Sequence, residues 1–170
     1  MMKGTDITHK VWHKMDKAQL IEKFYTAFAN GDSETMSKCY HDDIVFEDPA
    51  FGILKGARAS SMWKMLLSQK NSDMDVKFYN VKADGKSGEA EWVAKYVYGD
   101  KRQKVTNRVH AHFEFKDGKI IKHTDTFNLW KWTKQAMGLY GYLLGWTPFM
   151  KSKIQATANK KLDKFMAKNS

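Results

Sequence analysis

Up to Ser68 the apolar positions of this chain recur at helical spacing, and from Met74 onward they alternate. Leu20, Ile21, Phe24, Tyr25 and Phe28 share one face of a helix predicted over Lys17–Asn30, with Asp16 as its cap and Gly31 beyond its end. Asp32 or Ser33 starts a short second helix to about Tyr40, with Met36 and Cys39 turned inward. Ile44–Glu47 reads as a brief strand stopped at Asp48-Pro49, because proline has no N–H to give a ladder. Gly52 to Gly56 reads as a loop, and Ala57–Ser68 as a third helix that buries Met62, Trp63, Met65 and Leu66. The alternating part gives strands over Met74–Ala83 and Glu89–Tyr98, then a hairpin within Val105–Trp132 that turns at Lys116-Asp117-Gly118. Leu129–Met137 reads as a short helix stopped at Gly138, followed by an apolar loop to Trp146. Thr147-Pro148 opens a last helix whose apolar stripe is Met150, Ile154, Ala158, Leu162 and Phe165. Three helices followed by a four-strand antiparallel meander make an α+β chain with helices covering one face of the sheet.

The register of the hairpin decides what chemistry that face carries, because a slip of one residue turns every side chain over. With a two-residue loop, Asp117-Gly118, Lys116 faces Lys119, and His110, His112, His123 and Asp125 share a face, as a metal site would require. With a three-residue loop and Gly118 at the bulge position, Phe115 pairs with Lys119, Phe113 with Ile121, Ala111 with His123, Val109 with Asp125, and Asn107 with Phe127. The second register collects Val109, Ala111, Phe113, Phe115, Ile121 and Phe127 on one face, with Asn107, His123 and Asp125 among them. Arg108, His110, His112, Glu114, Lys122 and Thr124 go to the other. One apolar and one polar face is what a half-buried antiparallel sheet needs, so the second register is expected and no metal with it.

That register sets an imidazole and a carboxylate, two residues apart, into an apolar surface. A carboxylate there is costly to ionise unless paired, and His123 is the nearest partner for Asp125. Such a pair suits proton transfer beside a carbonyl; the competing reading is a structural ion pair, or a carboxylate held by Tyr96 or Trp92. Trp63, Trp92, Tyr96, Phe113 and Phe127, with Tyr25 and Asn107, are the residues expected to wall a mainly apolar pocket for a flat organic ligand.

Composition narrows the setting. The 170 residues suit one domain with an aromatic-rich core: an arm at 1–16, an α+β body at 17–133 and a helical extension at 134–170. No apolar run approaches the ~18 residues of a membrane span, and no secretory leader pattern opens the chain. Cys39 stands alone, which excludes an internal disulfide and fits a cytoplasmic location. Half of the net charge of +10 lies after Pro148, where six lysines face Asp163 alone. No arginine-rich patch is interleaved with aromatics, so nucleic acid is not an expected partner. The basic last helix, beside Trp146 and the tyrosines, packs on its own domain or a partner subunit, or else lies on a membrane surface. Phosphate loops, dinucleotide fingerprints and nucleophilic serine or cysteine constellations are absent from the sequence, so cofactor-free chemistry is expected.

Three stretches in order, FYTAFANGDSETMSKCYHDDIVFEDPAFG, LKGARAS and FEFKDGKIIKHTDTFNLW, resemble the nuclear transport factor 2 superfamily, in particular its SnoaL-like and ketosteroid-isomerase-like members. The resemblance covers about residues 17–133. It implies a cone-shaped barrel with a ligand cavity, a homodimer through the sheet, and cofactor-free isomerase, cyclase or hydrolase chemistry on a small apolar ligand. Asp48 in VFEDPAFG matches the general-base carboxylate of ketosteroid isomerases; its alternative role is to cap the Pro49 turn. The positions of that enzyme's two oxyanion donors fall on Phe24, with Tyr25 next door, and on Ala111. Asp125 in HTDTF matches the last-strand aspartate of SnoaL-type cyclases and limonene epoxide hydrolases, whose Arg-x-Asp pair has no counterpart in Glu89–Tyr98. Two functions follow: an acid–base enzyme in which Asp125 and Asp48 move protons and His123 orients Asp125, or a non-catalytic ligand-binding or scaffold protein.

Overall fold

Local capping chemistry sets the first turns of the fold. The computed structural model describes residues 16–68 and 74–169. The N-terminal arm apart from Asp16 lies outside the described residues. Helix α1 runs over Lys17–Ala29 and opens with Gln19 Oε1 accepting the N–H of Asp16 at 3.1 Å. Helix α2, Ser33–Cys39, is capped by Asp32, whose carboxylate accepts the N–H of Thr35 at 3.0 Å. Strands β1 (Tyr40–Asp48) and β2 (Gly52–Lys55) precede α3 (Ala57–Ser68). Then come β3 (Asp75–Ala83), β4 (Ser87–Tyr98), β5 (Gln103–Lys116), β6 (Lys119–Thr126), α4 (Leu129–Leu144) and α5 (Pro148–Lys168).

The expected α+β architecture is present, with two additions to the sheet. Residues 52–55, read from sequence as loop, form a strand antiparallel to β1, with Ile53 outward and Leu54 fully buried. Four residues are too few for alternation to register in sequence. Strand β1 is also longer than expected and runs parallel to β6, with Phe46 opposite His123. The meander is thus four strands of a six-stranded sheet ordered β2-β1-β6-β5-β4-β3, which does not close on itself. Helices α1 and α3 cover its inner face with a core that includes Ile21, Phe24, Tyr25, Met62 and Trp63.

The hairpin follows neither expected register as a whole. Its turn is the two-residue one: Asp117 and Gly118 take φ of 51° and 75°, and Lys116 pairs with Lys119. A bulge beyond Phe115 then slips the ladder, so that Glu114 meets Lys122, Phe113 meets His123 and Ala111 meets Asp125. The slip returns the strands to the facing expected from polarity, with different partners. Ile120 rather than Ile121 takes the fully buried place beside Phe115, because the bulge falls at residue 121. His110 is exposed and His112 half-buried on the outer face, away from His123.

Helix α4 does break at Gly138, which sits at φ 59°, ψ −134°, but it resumes where a loop was expected and runs to Leu144. Gly141 there abuts the Thr133 carbonyl so closely that a Cβ would have no room. Helix α5 folds back onto its own chain. Met150 and Leu162 of its stripe are fully buried, and Arg58 of α3 meets Asp163 at 2.6 Å and Asn159 at 2.8 Å.

Candidate functional site

The bulge in β6 and the parallel contact with β1 bring five polar side chains into one line on the inner face. His123 Nε2 lies 3.0 Å from Asp125 Oδ1, and His123 Nδ1 lies 2.7 Å from Tyr40 Oη. Trp63 Nε1 donates to Tyr40 Oη at 2.8 Å, and Trp92 Nε1 donates to Asp125 Oδ1 at 3.3 Å. Asp125 and His123 are 3 % and 0 % exposed, so the line lies almost wholly inside the protein. Trp92 stands on β4 opposite Val109 and Asp125 on β6 opposite Ala111, about 10 Å apart at the backbone, so the indole reaches across β5 to the carboxylate.

The donor and acceptor inventory assigns the protons. Tyr40 Oη accepts from Trp63, and His123 Nδ1 is the acceptor within reach of its own hydrogen; this assigns the tautomer with the ring proton on Nε2, donated to Asp125. Asp125 is left as a carboxylate that accepts two N–H bonds on one oxygen, Oδ1. The opposite tautomer would leave the Tyr40 hydrogen without an acceptor in the line. Burial holds the Tyr40 hydroxyl well above its ordinary pKa, so it is a stable donor. The imidazole is enclosed by rings: Phe113 at 4.4 Å, Phe46 at 5.2 Å and Phe24 at 5.4 Å between centroids, with Trp63 stacked at 6.2 Å.

Tyr25 comes in from α1, fully buried, with Phe78 stacked on its ring. Its hydroxyl is the single buried side-chain polar atom among the described residues without a hydrogen-bond partner. An unpaired buried hydroxyl costs about 1–3 kcal/mol, so it marks either a strain or a ligand's place. Burial first, and then the charge of Asp125, hold its pKa well above the ordinary value. The donor and the carboxylate therefore feel one another across the inner face.

Asp48 ends β1 and is half-buried. Its Oδ1 accepts the N–H of Ala50 at 2.9 Å and of Phe51 at 2.6 Å, which makes it the cap of the Pro49 turn. Burial nevertheless raises its pKa to about 7, against the pull of the Phe51 N–H and with a further push from the charge of Asp125. Helix α5 clamps this turn, with Gln155 donating to the Pro49 carbonyl at 3.2 Å and Asn159 to that of Phe51 at 2.8 Å. A carboxyl with a folded pKa above its unfolded value contributes stability below about pH 4 that is lost as pH rises through about 7. Asp48→Asn keeps the acceptor oxygen. It is expected to leave urea stability unchanged near pH 4 and to raise it near pH 8, by at most about 4 kcal/mol. A loss of stability near pH 8, in place of a gain, would show that Asp48 is held as the anion.

Among the other candidates, Trp63, Trp92 and Phe113 are buried in the ring cluster around His123. Tyr96 and Phe127 lie at its edge toward α4; the Tyr96 hydroxyl accepts from Trp132 Nε1 at 2.7 Å and burial pushes its pKa up to about 12. Asn107 shares the inner face but sits opposite Ala94, outside the hydrogen-bonded line. Sequence reasoning missed Tyr40, whose signal was its parity with Phe46 along β1, obscured by an irregular pairing between Tyr40 and Val45. Among the described residues no group of three histidine, cysteine or acidic side chains is placed to hold a metal ion. Two surface concavities lie along α1 and beside the end of α5, and neither contains Asp48, His123 or Asp125.

Comparison with known proteins agrees with this frame. The family model of the SnoaL-like domain matches residues 21–123. The epoxide hydrolase EphG of Mycobacterium tuberculosis is 27% identical over 137 residues, 81% of this chain and 86% of the relative. The solved structure of an M. tuberculosis LEH-like epoxide hydrolase is 25% identical, with a TM-score of 0.59 over 75% of this chain and 94% of that one. A protein of ketosteroid isomerase-like fold from Catenulispora acidiphila, solved with trimethylamine, has a TM-score of 0.62 over 76% of this chain and 98% of its own, at 17% identity. That last likeness is one of fold alone.

Proposed function

Because the chain belongs to the SnoaL-like domain family, we propose that it is a cofactor-free acid–base enzyme of the hydrolase or cyclase kind, acting on a small, mainly apolar molecule with an epoxide or carbonyl oxygen. The observation that carries this reading is the unpartnered Tyr25 hydroxyl lying in the field of the Asp125 carboxylate, on one apolar face. A substrate oxygen placed against Tyr25 would give that hydroxyl its missing acceptor and receive a hydrogen bond where negative charge develops. Asp125 would be the base. Both of its protein bonds fall on Oδ1, so Oδ2 is the oxygen offered to water or to a substrate C–H. His123, held by Tyr40, would be a positioning residue that fixes the carboxylate.

Asp48 completes the set. A carboxyl with a pKa of about 7 is protonated in useful amount near neutrality and can give its proton to an opening epoxide or an enolate oxygen. That assignment supplies an acid which the inward positions of β4 do not, since they carry Ala90, Trp92, Ala94 and Tyr96. The likeness to EphG favours epoxides as the first compounds to try.

A panel of small epoxides and β-dicarbonyl compounds tests the proposal. At least one is expected to be turned over, with a rate that falls as pH rises through about 7 because Asp48 loses the proton it must give. A second reading, binding without turnover, is favoured by one observation. Trp63, Trp92 and Phe113 are all buried against the His123 site, so a ligand of any size requires them to move. Ligands that bind equally well to the protein and to its Asp125→Asn variant, with no turnover anywhere in the panel, would establish that second reading and dispose of the first.

A further inference from the structure

The apolar stripe of α5 is spent on its own chain, yet a second apolar surface remains open at the elbow between α4 and α5. Leu139, Tyr142, Leu143, Trp146 and Phe149 project from it, with Leu139 at 74% and Trp146 and Phe149 each at 67% exposed. Isolated apolar residues on a surface mean little, but here large ones follow one another along a single bend. The stretch of chain that forms it carries one sign of charge. Between Asp125 and Asp163 the chain has six lysines and no carboxylate. Lys134 sits over the Trp130 ring at 4.1 Å and Lys153 lies 6.0 Å from the Tyr140 ring, so cations and aromatics share the rim.

Both elbow indoles and the backbone of the bend are bonded from within. Trp130 Nε1 donates to the Tyr142 carbonyl at 3.1 Å and Trp146 Nε1 to the Leu143 carbonyl at 3.1 Å. The Gly145 N–H goes to the Gly141 carbonyl at 2.9 Å and the Thr147 N–H to that of Leu144 at 3.0 Å. Gly138 and Gly141 permit this tight, self-bonded bend. A segment entering the boundary between headgroups and acyl chains must meet that condition, because water is withdrawn from its backbone. Neither α4 nor α5 is long and apolar enough to cross a bilayer, so the elbow would lie at the surface.

We propose that the α4–α5 elbow is an interfacial docking surface for an anionic lipid bilayer, with Leu143, Trp146 and Phe149 entering the boundary region and Lys131, Lys134, Lys151 and Lys153 facing the lipid phosphates. A second copy of this chain is a poorer occupant, because pairing two elbows would bring like-charged lysines together with no carboxylate between them. The inference stands independently of the catalytic reading.

Flotation of the full chain with lipid vesicles tests it. The protein is expected to float with phosphatidylcholine vesicles containing about one third phosphatidylglycerol, and to float much less with phosphatidylcholine alone or at high salt. Trp146→Ser and Phe149→Ser are each expected to weaken partitioning about tenfold. Lys151→Gln and Lys153→Gln should each weaken it roughly fivefold on the anionic vesicles only. All four positions are exposed, so far-UV circular dichroism should be unchanged. The proposal is overturned by a failure to float with anionic vesicles. It is equally overturned by flotation indifferent to Trp146→Ser and Phe149→Ser, or by lipid-free self-association that those substitutions abolish while no vesicle binding is seen.

Discussion

Asp125→Asn is expected to lower kcat on any accepted substrate by about 10²–10⁴, the range that a positioned proton-transfer group supplies, while the fold is retained. Retention follows from the hydrogen bonds. The asparagine Oδ1 can still accept from His123 Nε2 and Trp92 Nε1, the two donors that now meet the carboxylate. What is lost is the charge and the basicity of the second oxygen. The check is kcat on a substrate taken from the epoxide and dicarbonyl panel, measured beside the urea midpoint of the same preparation. A fall in kcat with an unchanged midpoint assigns Asp125 to the chemistry. Full activity in the variant removes it, whatever the midpoint does. The Tyr25 hydroxyl adds a second readout, since its pKa is raised partly by the charge of Asp125 and should drop when that charge is gone.

His123→Ala is expected to cost about 3–5 kcal/mol of stability, the largest loss anticipated for a single substitution here. Three terms point the same way. A cavity opens among Phe24, Phe46, Trp63 and Phe113. The hydrogen of Tyr40 loses its acceptor, and the buried carboxylate of Asp125 loses one of its two donors. The last of these should dominate, so the loss should shrink when Asp125 is removed as well. A double-mutant cycle with His123→Ala and Asp125→Ala, followed by urea unfolding, is expected to give a coupling energy of about 1–3 kcal/mol. Additive costs would mean that the 3.0 Å contact between His123 and Asp125 contributes nothing beyond packing. The two experiments separate chemistry from stability, because His123 could hold the fold without helping the reaction.

Much of the fold was legible in the chain. Asp32 and Thr147 cap helices because their side chains can meet free N–H groups one turn ahead. The inward set Val109, Ala111, Phe113, His123 and Asp125 was readable too, because strand side chains alternate and the pattern leaves only one consistent apolar face. The pairing between β5 and β6 was not. A bulge adds one residue without changing polarity, so Phe113–His123 and Ala111–Asp125 look no better in sequence than the pairs expected. Strand β2 was too short to show a period, and the run after Gly138 was misread because glycines that break a helix elsewhere here allow it to pack against Thr133.

The candidate site divides in the same way. By itself the sequence determined that an aspartate and a histidine would share an apolar strand face, that Asp48 would stand at a proline turn, and that aromatics would surround them. These are properties of a few neighbouring residues and of their period. Only the tertiary structure decided that Tyr40 and Trp63 reach His123, which lies 83 positions from Tyr40, and that Trp92 reaches Asp125 across β5. It also decided that α5 turns its stripe inward and leaves the elbow aromatics outside, and that Asp48 is buried enough for its pKa to rise to about 7. Periodicity is set by the geometry of one strand or helix. Partners, desolvation and proton positions are set by which surfaces meet, and the chain records that only through packing of all its elements at once.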